Sequence, residues 1–256
     1  MPHEQRMQEI KKQLEILLVN YFREQYPDFP KGKVVASESP DFVVKMKNKH
    51  KLGIELTRLN PANAVVKTAE MLVQIEFREE LVEQMQELFE TGSDEKLFVK
   101  FMFSDKQIIS PERELAVRSK MVATIRAAVD GKDDGSFFHR ILSGSDLPEG
   151  LEQVMIAHHP ELKSSVWERS NNLGISNNVV DDIRLAIAKK DEKLRIYQKQ
   201  QLDQYWLLIT TDFLRADKNI NLLNKIRNEE FESRFQQVFV LDLMRARVIP
   251  LIENIK

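Results

Sequence analysis

Asp41 and Glu55 stand at the two ends of the clearest hairpin in the chain, DFVVKMKNKHKLGIELT over residues 41–57. On its first strand the even positions Phe42, Val44 and Met46 are apolar, and on its second strand so are Leu52, Ile54 and Leu56. Placing these six on one core face fixes the parity of the pairing. A turn at Lys47-Asn48-Lys49 then sets Asp41 directly opposite Glu55. Directly opposed residues have Cβ atoms about 4.5–5.5 Å apart, and like charges facing each other there destabilise a sheet. A divalent cation held by both carboxylates is the natural compensation. The plainer alternative is a solvated sheet face on which two acids happen to sit. Thr57 shares the face of Glu55, and Lys45 shares that of Asp41. Glu38, three residues before Asp41, is a further acid within reach of a metal or its water shell.

Ser39-Pro40-Asp41-Phe42, the hairpin, and Gly53-Ile54-Glu55-Leu56-Thr57 together resemble the active-site signature of the PD-(D/E)xK nuclease superfamily. The resemblance covers roughly the first hundred residues. It implies a restriction-endonuclease-like core, in the order helix-strand-strand-strand-helix-strand, with a mixed central sheet flanked by helices. It also implies that Asp41 and Glu55 hold one or two Mg2+ ions, with Mn2+ as a substitute, and that a metal-activated water attacks a phosphodiester in line.

The family pattern ends in lysine, and Thr57 stands at that position here. Arg58 follows, but on a strand it points to the opposite face. Three other cations are candidates: Lys45, Lys67 and Lys190. On a helix over about 178–200, Val180, Ile183, Ile187, Lys190, Leu194 and Tyr197 step by threes and fours, so Lys190 interrupts an apolar seam, with Lys193 beside it. A lysine on such a seam is either paired or snorkels out to water. The resemblance further suggests an acid from the first helix, of which Glu15 is the middle candidate. It also matches Gln74-Ile75-Glu76-Phe77 to a Gln-x-x-aromatic motif, although Phe77 fits a core stripe as well.

These residues need elements to hold them. Residues 4–25 read as a helix (Ile10, Leu14, Leu17 and Tyr21 on one face), with a short strand at Val34-Val35 before the hairpin. Asn60 and Pro61 can open the next helix, whose predicted stripe is Ala69, Val73, Phe77, Leu81, Met85 and Leu88, with Gly92 as its stop. LFVKFMF at 97–103 is a strand and 111–129 a helix. Four of the eight glycines fall within 131–150, which reads as a loop or linker with a Phe137-Phe138 pair that docks. Strands are expected at 153–158, at YWLLIT (205–210), at VFVLD (238–242) and at 247–251, with a helix near 218–227. The interleaving argues α/β. The expected division is a nuclease-like core over 1–130, a linker over 131–150 and an α/β extension over 151–256 packed on the same sheet.

Composition narrows the functions further. The 256 residues carry no cysteine, which excludes a thiolate zinc site, a disulfide scaffold and a Cys nucleophile. No apolar run approaches the roughly 18–20 residues of a bilayer crossing, and the charged start lacks a signal-peptide centre, so a cytoplasmic protein without membrane contact is expected. Phosphate-binding loops, dinucleotide fingerprints and a G-x-S-x-G elbow are absent from the sequence. His158-His159 would point to opposite faces of a strand, a poor metal pair. The net charge of -2 does not advertise nucleic acid, so any such surface must be local. Lys45, Lys47, Lys49 and Lys51 with His50 make the hairpin tip such a patch, although charged hairpin turns are also routine. Two functions from different classes remain. One is a Mg2+-dependent nuclease acting on DNA, with Glu38, Asp41, Glu55, Thr57 and Lys190 in its site. The other is an inactive nuclease-fold module that binds nucleic acid or a protein partner. A homodimer is compatible with either.

Overall fold

The computed structural model of the chain describes residues 3–59, 68–104, 106–131, 136–160, 162–170, 178–212, 226 and 228–253. Asn60, Pro61, Lys67 and most of the helix expected at 218–227 lie outside the described residues. Helix α1 (His3–Gln25) leads into β1 (Gly32–Ala36), β2 (Phe42–Met46) and β3 (Lys51–Arg58). Next come α2 (Ala69–Glu90), β4 (Phe98–Phe103), α3 (Glu114–Val129), β5 (Phe138–Ser143), β6 (Leu151–His158) and β7 (Val166–Arg169). The chain closes with α4 (Val179–Tyr197), β8 (Gln204–Thr211), β9 (Gln237–Asp242) and β10 (Arg247–Glu253). The class is α/β, with two mixed sheets flanked by helices.

The strands divide otherwise than by halves of the chain. One sheet has the order β1-β2-β3-β8-β9-β10, the other β5-β6-β4-β7. Two compact units result, one from 1–21 and 66–174, the other from 22–65 and 175–256. The strand expected to complete the hairpin's sheet from 97–103 sits in the other sheet, and β8 pairs with β3 in its place. The stretch 131–150 is likewise more than a loop, because β5 crosses it and pairs antiparallel with β6.

In the unit of 1–21 and 66–174, α2 and α3 cover one face of the sheet. Val99, Phe101, Phe103, Val154, Ile156 and Trp167 pack there with Leu81, Val82, Met85, Phe89, Met121 and Ile125. The buried face of α2 runs through Ile75, Arg78, Leu81, Val82, Met85 and Phe89. It is rotated from the predicted stripe, leaving Val73 and Leu88 exposed. The displacement has a cause: Arg78 is buried, donating to the carbonyl of Ser104 at 2.7 Å and lying over the Phe103 ring, so a cation takes a core position that a hydrophobic pattern assigns elsewhere.

The other unit carries the hairpin. β1-β2 and β2-β3 are antiparallel, β3-β8 and β8-β9 are parallel, and β10 closes the far edge antiparallel to β9. The pairs Phe42↔Ile54, Val44↔Leu52 and Lys45↔Lys51 reproduce the register derived from the apolar parity. On the face of the even-numbered residues of β2, β3 and β8, Trp206 and its β9 neighbour Phe239 meet Phe22, Tyr26 and Phe29 from α1 and the turn after it. The odd face is also covered: Leu207, Ile209, Val238 and Val240 pack against Val179, Ile183, Ile187, Leu194 and Tyr197 of α4. Coverage on both sides explains why YWLLIT is a continuous apolar run without alternation, as central parallel strands are.

Gly53 sits where three elements converge. A Cβ there would lie 2.7 Å from Pro40 Cγ, 2.8 Å from Leu202 Cδ1 and 3.2 Å from Tyr205 Cδ1. Gly92 differs: its added Cβ would meet only the guanidinium end of Arg126, which can swing away. Gly53→Ala should therefore lower stability by about 1–3 kcal/mol. Gly92→Ala should cost less, and urea-unfolding midpoints of the two variants compare them directly.

Candidate active site

The site forms just before the start of β2, where β3 runs on past it. β2 begins at Phe42, so on its β2 side Leu56 of β3 has no strand partner in the described pairing. Continuing the register places Pro40 opposite Leu56, and proline has no N–H to give. Two side chains take over the main-chain groups of Leu56. The Leu56 N–H donates to Asp41 Oδ2 at 2.7 Å, and Lys190 Nζ donates to the Leu56 carbonyl at 3.2 Å.

Glu55, one residue earlier, points into the odd face beneath α4 and is only 5% exposed. A buried carboxylate is costly without donors. Two reach it, both at Oε1: Lys190 Nζ at 2.6 Å and the Tyr197 hydroxyl at 2.7 Å. Among the described residues no hydrogen bond reaches Oε2. The Tyr197 phenol has its pKa raised, first by burial, then by its hydrogen bond to Glu55 and by the charges of Glu55 and Asp41. It therefore stays protonated and acts as a donor.

α4 delivers Lys190 and Tyr197 together, seven residues and about two turns apart on one face. Its placement is fixed independently. Asn178 caps its start, accepting from the Asp181 N–H at 3.4 Å. Arg184 pairs with Glu229 at 2.6 Å, and Asp191 accepts from Ser233 Oγ at 2.7 Å and from the Arg234 N–H at 3.1 Å. At the far end, the Tyr205 hydroxyl donates to the Tyr197 carbonyl at 3.0 Å.

The structure brings together Asp41, Glu55 and Lys190, with Thr57 half-buried two residues beyond Glu55 on the same strand face. Glu38 is exposed on the segment before β2. Lys193 is exposed, so of the two neighbouring lysines only Lys190 reaches the acids. Lys45, Lys47, Lys49 and Lys51 are exposed around the hairpin tip. Arg58 turns to the opposite face and pairs with the buried Asp212 at 2.8 Å. Glu15 pairs with Lys11 on its own helix at 3.8 Å. The Gln74–Phe77 segment belongs to the unit of 66–174, with Ile75 buried and Glu76 exposed. Sequence reasoning missed Tyr197, which it assigned to the apolar seam; its place one heptad after Lys190 was the available signal.

The oxygen donors gathered around Leu56 are of the hard type that divalent cations take. They comprise two carboxylates and a carbonyl, and two of those oxygens, Glu55 Oε1 and Leu56 O, already converge on one positive nitrogen. Among the described residues no group of three or more acidic or histidine side chains is placed to hold a metal. Two carboxylates suffice for Mg2+, which keeps several waters and shares substrate phosphates.

Comparison with known proteins gives no match for this chain among family models, curated proteins or solved structures.

The Glu55–Lys190 pair can be weighed directly. Lys190→Met should destabilise the protein by about 2–4 kcal/mol, because it leaves an unpaired buried acid. Glu55→Gln in the Lys190→Met background should recover much of that loss, giving a coupling of about 1–3 kcal/mol in a double-mutant cycle of urea melts. Additive losses would mean that the two groups stabilise the unit independently.

Proposed function

We propose that the protein is a metal-dependent nuclease that hydrolyses phosphodiester bonds in DNA, with Asp41 and Glu55 as the ligands of Mg2+ or Mn2+. The observation that carries this reading is the Lys190 ammonium, delivered from another element to Glu55, two residues before the motif position that holds Thr57. An acid pair, a strand carbonyl and a migrated lysine restore the charge set that the resemblance to PD-(D/E)xK nucleases implies. Element order supports it too. Within the unit of 22–65 and 175–256, β1, β2 and β3 follow the end of α1 and are succeeded by α4 and then β8, parallel to β3. That is the helix-strand-strand-strand-helix-strand order of a restriction-endonuclease-like core, with 66–174 inserted between β3 and α4.

Each residue then has a defined task. Asp41, anchored by the Leu56 N–H, and Glu55, through Oε2, would hold the cation. When bound, it polarises the phosphate and lowers the pKa of an attacking water. Lys190 offsets the two negative charges and presents a positive charge beside the phosphodiester. Tyr197 holds the Glu55 carboxylate in one orientation, a positioning role exerted through its neighbour. Thr57, half-buried two residues beyond Glu55, and Glu38, exposed three residues before Asp41, would flank these ligands.

A second reading has its own observation. Lys190 Nζ already occupies the space between Glu55 Oε1 and Leu56 O, as a tethered cation would in an inactive nuclease-fold module that binds nucleic acid or a protein. Cleavage of supercoiled plasmid in Mg2+ or Mn2+ separates the two. The nuclease reading expects metal-dependent nicking that Asp41→Asn and Glu55→Gln each reduce about a hundredfold or more, with the folds checked by circular dichroism. DNA binding without cleavage in either metal would establish the module. Tyr197→Phe should raise the Mn2+ dissociation constant about tenfold, measured by electron paramagnetic resonance of free Mn2+, because an outer group that orients a ligand typically contributes that much.

A further inference from the structure

Three lysines lie side by side across three adjacent strands. Lys33 on β1 is the register partner of Lys45 on β2, and Lys45 is in turn the partner of Lys51 on β3. Register partners project from the same face, and neighbouring strands are about 4.8 Å apart. The row lies on the face of odd-numbered residues that also carries Asp41 and Glu55, four residues along β2 and β3, or about 13 Å away. All three side chains are exposed. The Lys33 member has no sequence signal, because only the β1–β2 register brings it beside Lys45.

Like charges directly opposed across strands destabilise a sheet. Lysines do guard exposed sheet edges against unwanted pairing. That explanation fits Lys33, since β1 is the edge strand, but β2 and β3 are interior strands with partners on both sides. Lys45 and Lys51 guard no edge. Asp203 is tied to the hairpin's end: it accepts from the Lys51 N–H at 2.7 Å and lies 3.7 Å from His50 Nδ1. Lys47 and Lys49 in the adjoining turn add further positive charge, on a chain whose net charge is -2.

We infer that the Lys33–Lys45–Lys51 row is a docking track for the sugar-phosphate backbone of duplex DNA. This deepens the nuclease reading and rests on it for the choice of polyanion. A track about 13 Å from the acid pair would hold the backbone some four base-pair rises from the bond being cut, at 3.4 Å per step. Exposed lysines contacting phosphate confer affinity and register but no sequence preference.

The test uses the full chain and a short fluorescein-labelled DNA duplex, with binding followed by anisotropy across a salt series. Lys33→Gln, Lys45→Gln and Lys51→Gln should each reduce the slope of log affinity against log salt by about 0.9. The triple variant should bind at least tenfold more weakly at moderate salt. Lys45→Gln, which removes the middle charge, should also raise the urea midpoint of the free protein. A surface serving only solubility would not combine these opposite effects. Unchanged affinity and slope in the triple variant, while the wild-type chain binds and cleaves, would overturn the track and leave the nuclease reading intact. Lowered slopes without cleavage in any metal would keep the track and remove the nuclease. A wild-type chain that binds no DNA duplex at all overturns the track outright.

Discussion

A buried carboxylate sets the terms for the unit that carries the hairpin. Glu55 lies beneath α4, where an unpaired charge would be prohibitive. It is retained because α4 brings an ammonium and a phenol to the same oxygen at 2.6 and 2.7 Å. The dependence runs both ways. Removing the acid would leave Lys190 on an apolar seam, and removing α4 would expose the odd face of three parallel strands. The helix therefore covers the sheet and completes the charge cluster in one placement, and the Asp191 and Arg184 contacts that fix it act on both.

The strand end beside Glu55 follows the same logic. A ladder that stops leaves backbone groups unpaired, and buried ones must find partners. At Leu56 the partners are Asp41 and Lys190, so two charged side chains replace a strand neighbour. A strand end can also be closed by a turn or a water. Ending it with an acid and a base concentrates charge at a point where β2 no longer screens it. Gly53 belongs to the same arrangement, since a side chain at that position would push Pro40, and with it Asp41, off β3.

Much of this was legible in the chain itself. The hairpin register followed from the parity of Phe42, Val44, Leu52 and Ile54, because a slip of one residue would turn the whole apolar set outward. Lys190 stood out as a cation at a seam position. Three features were not legible. Glu55 was expected on a face open to solvent or metal, and its burial depends on α4 packing across the odd face, which no local pattern records. Arg78 rotated α2 away from its hydrophobic stripe, because one buried cation with a carbonyl partner and an aromatic ring outweighs the nominal pattern. The assignment of strands to sheets failed for a topological reason: β4 follows β3 and α2 in sequence, yet β8, from the far end of the chain, is the strand that pairs with β3.

That long separation bears on how such a site persists. Glu55 and Lys190 are 135 residues apart, and the segment between them folds into a sheet and two helices with their own core. Closing a loop costs free energy only as the logarithm of its length, with each doubling adding about 0.6 kcal/mol. A segment that folds on itself adds less chain freedom to lose than a flexible one of the same length. The insertion between β3 and α4 is therefore compatible with a tightly specified geometry, provided α4 is held by contacts within its own unit. It is: Asn178, Arg184, Asp191 and Tyr197 all find their partners there. The positions of Lys190 and Tyr197 over Glu55 thus depend on local anchoring of one helix, and the sequence distance to β3 imposes no penalty that this anchoring has to overcome.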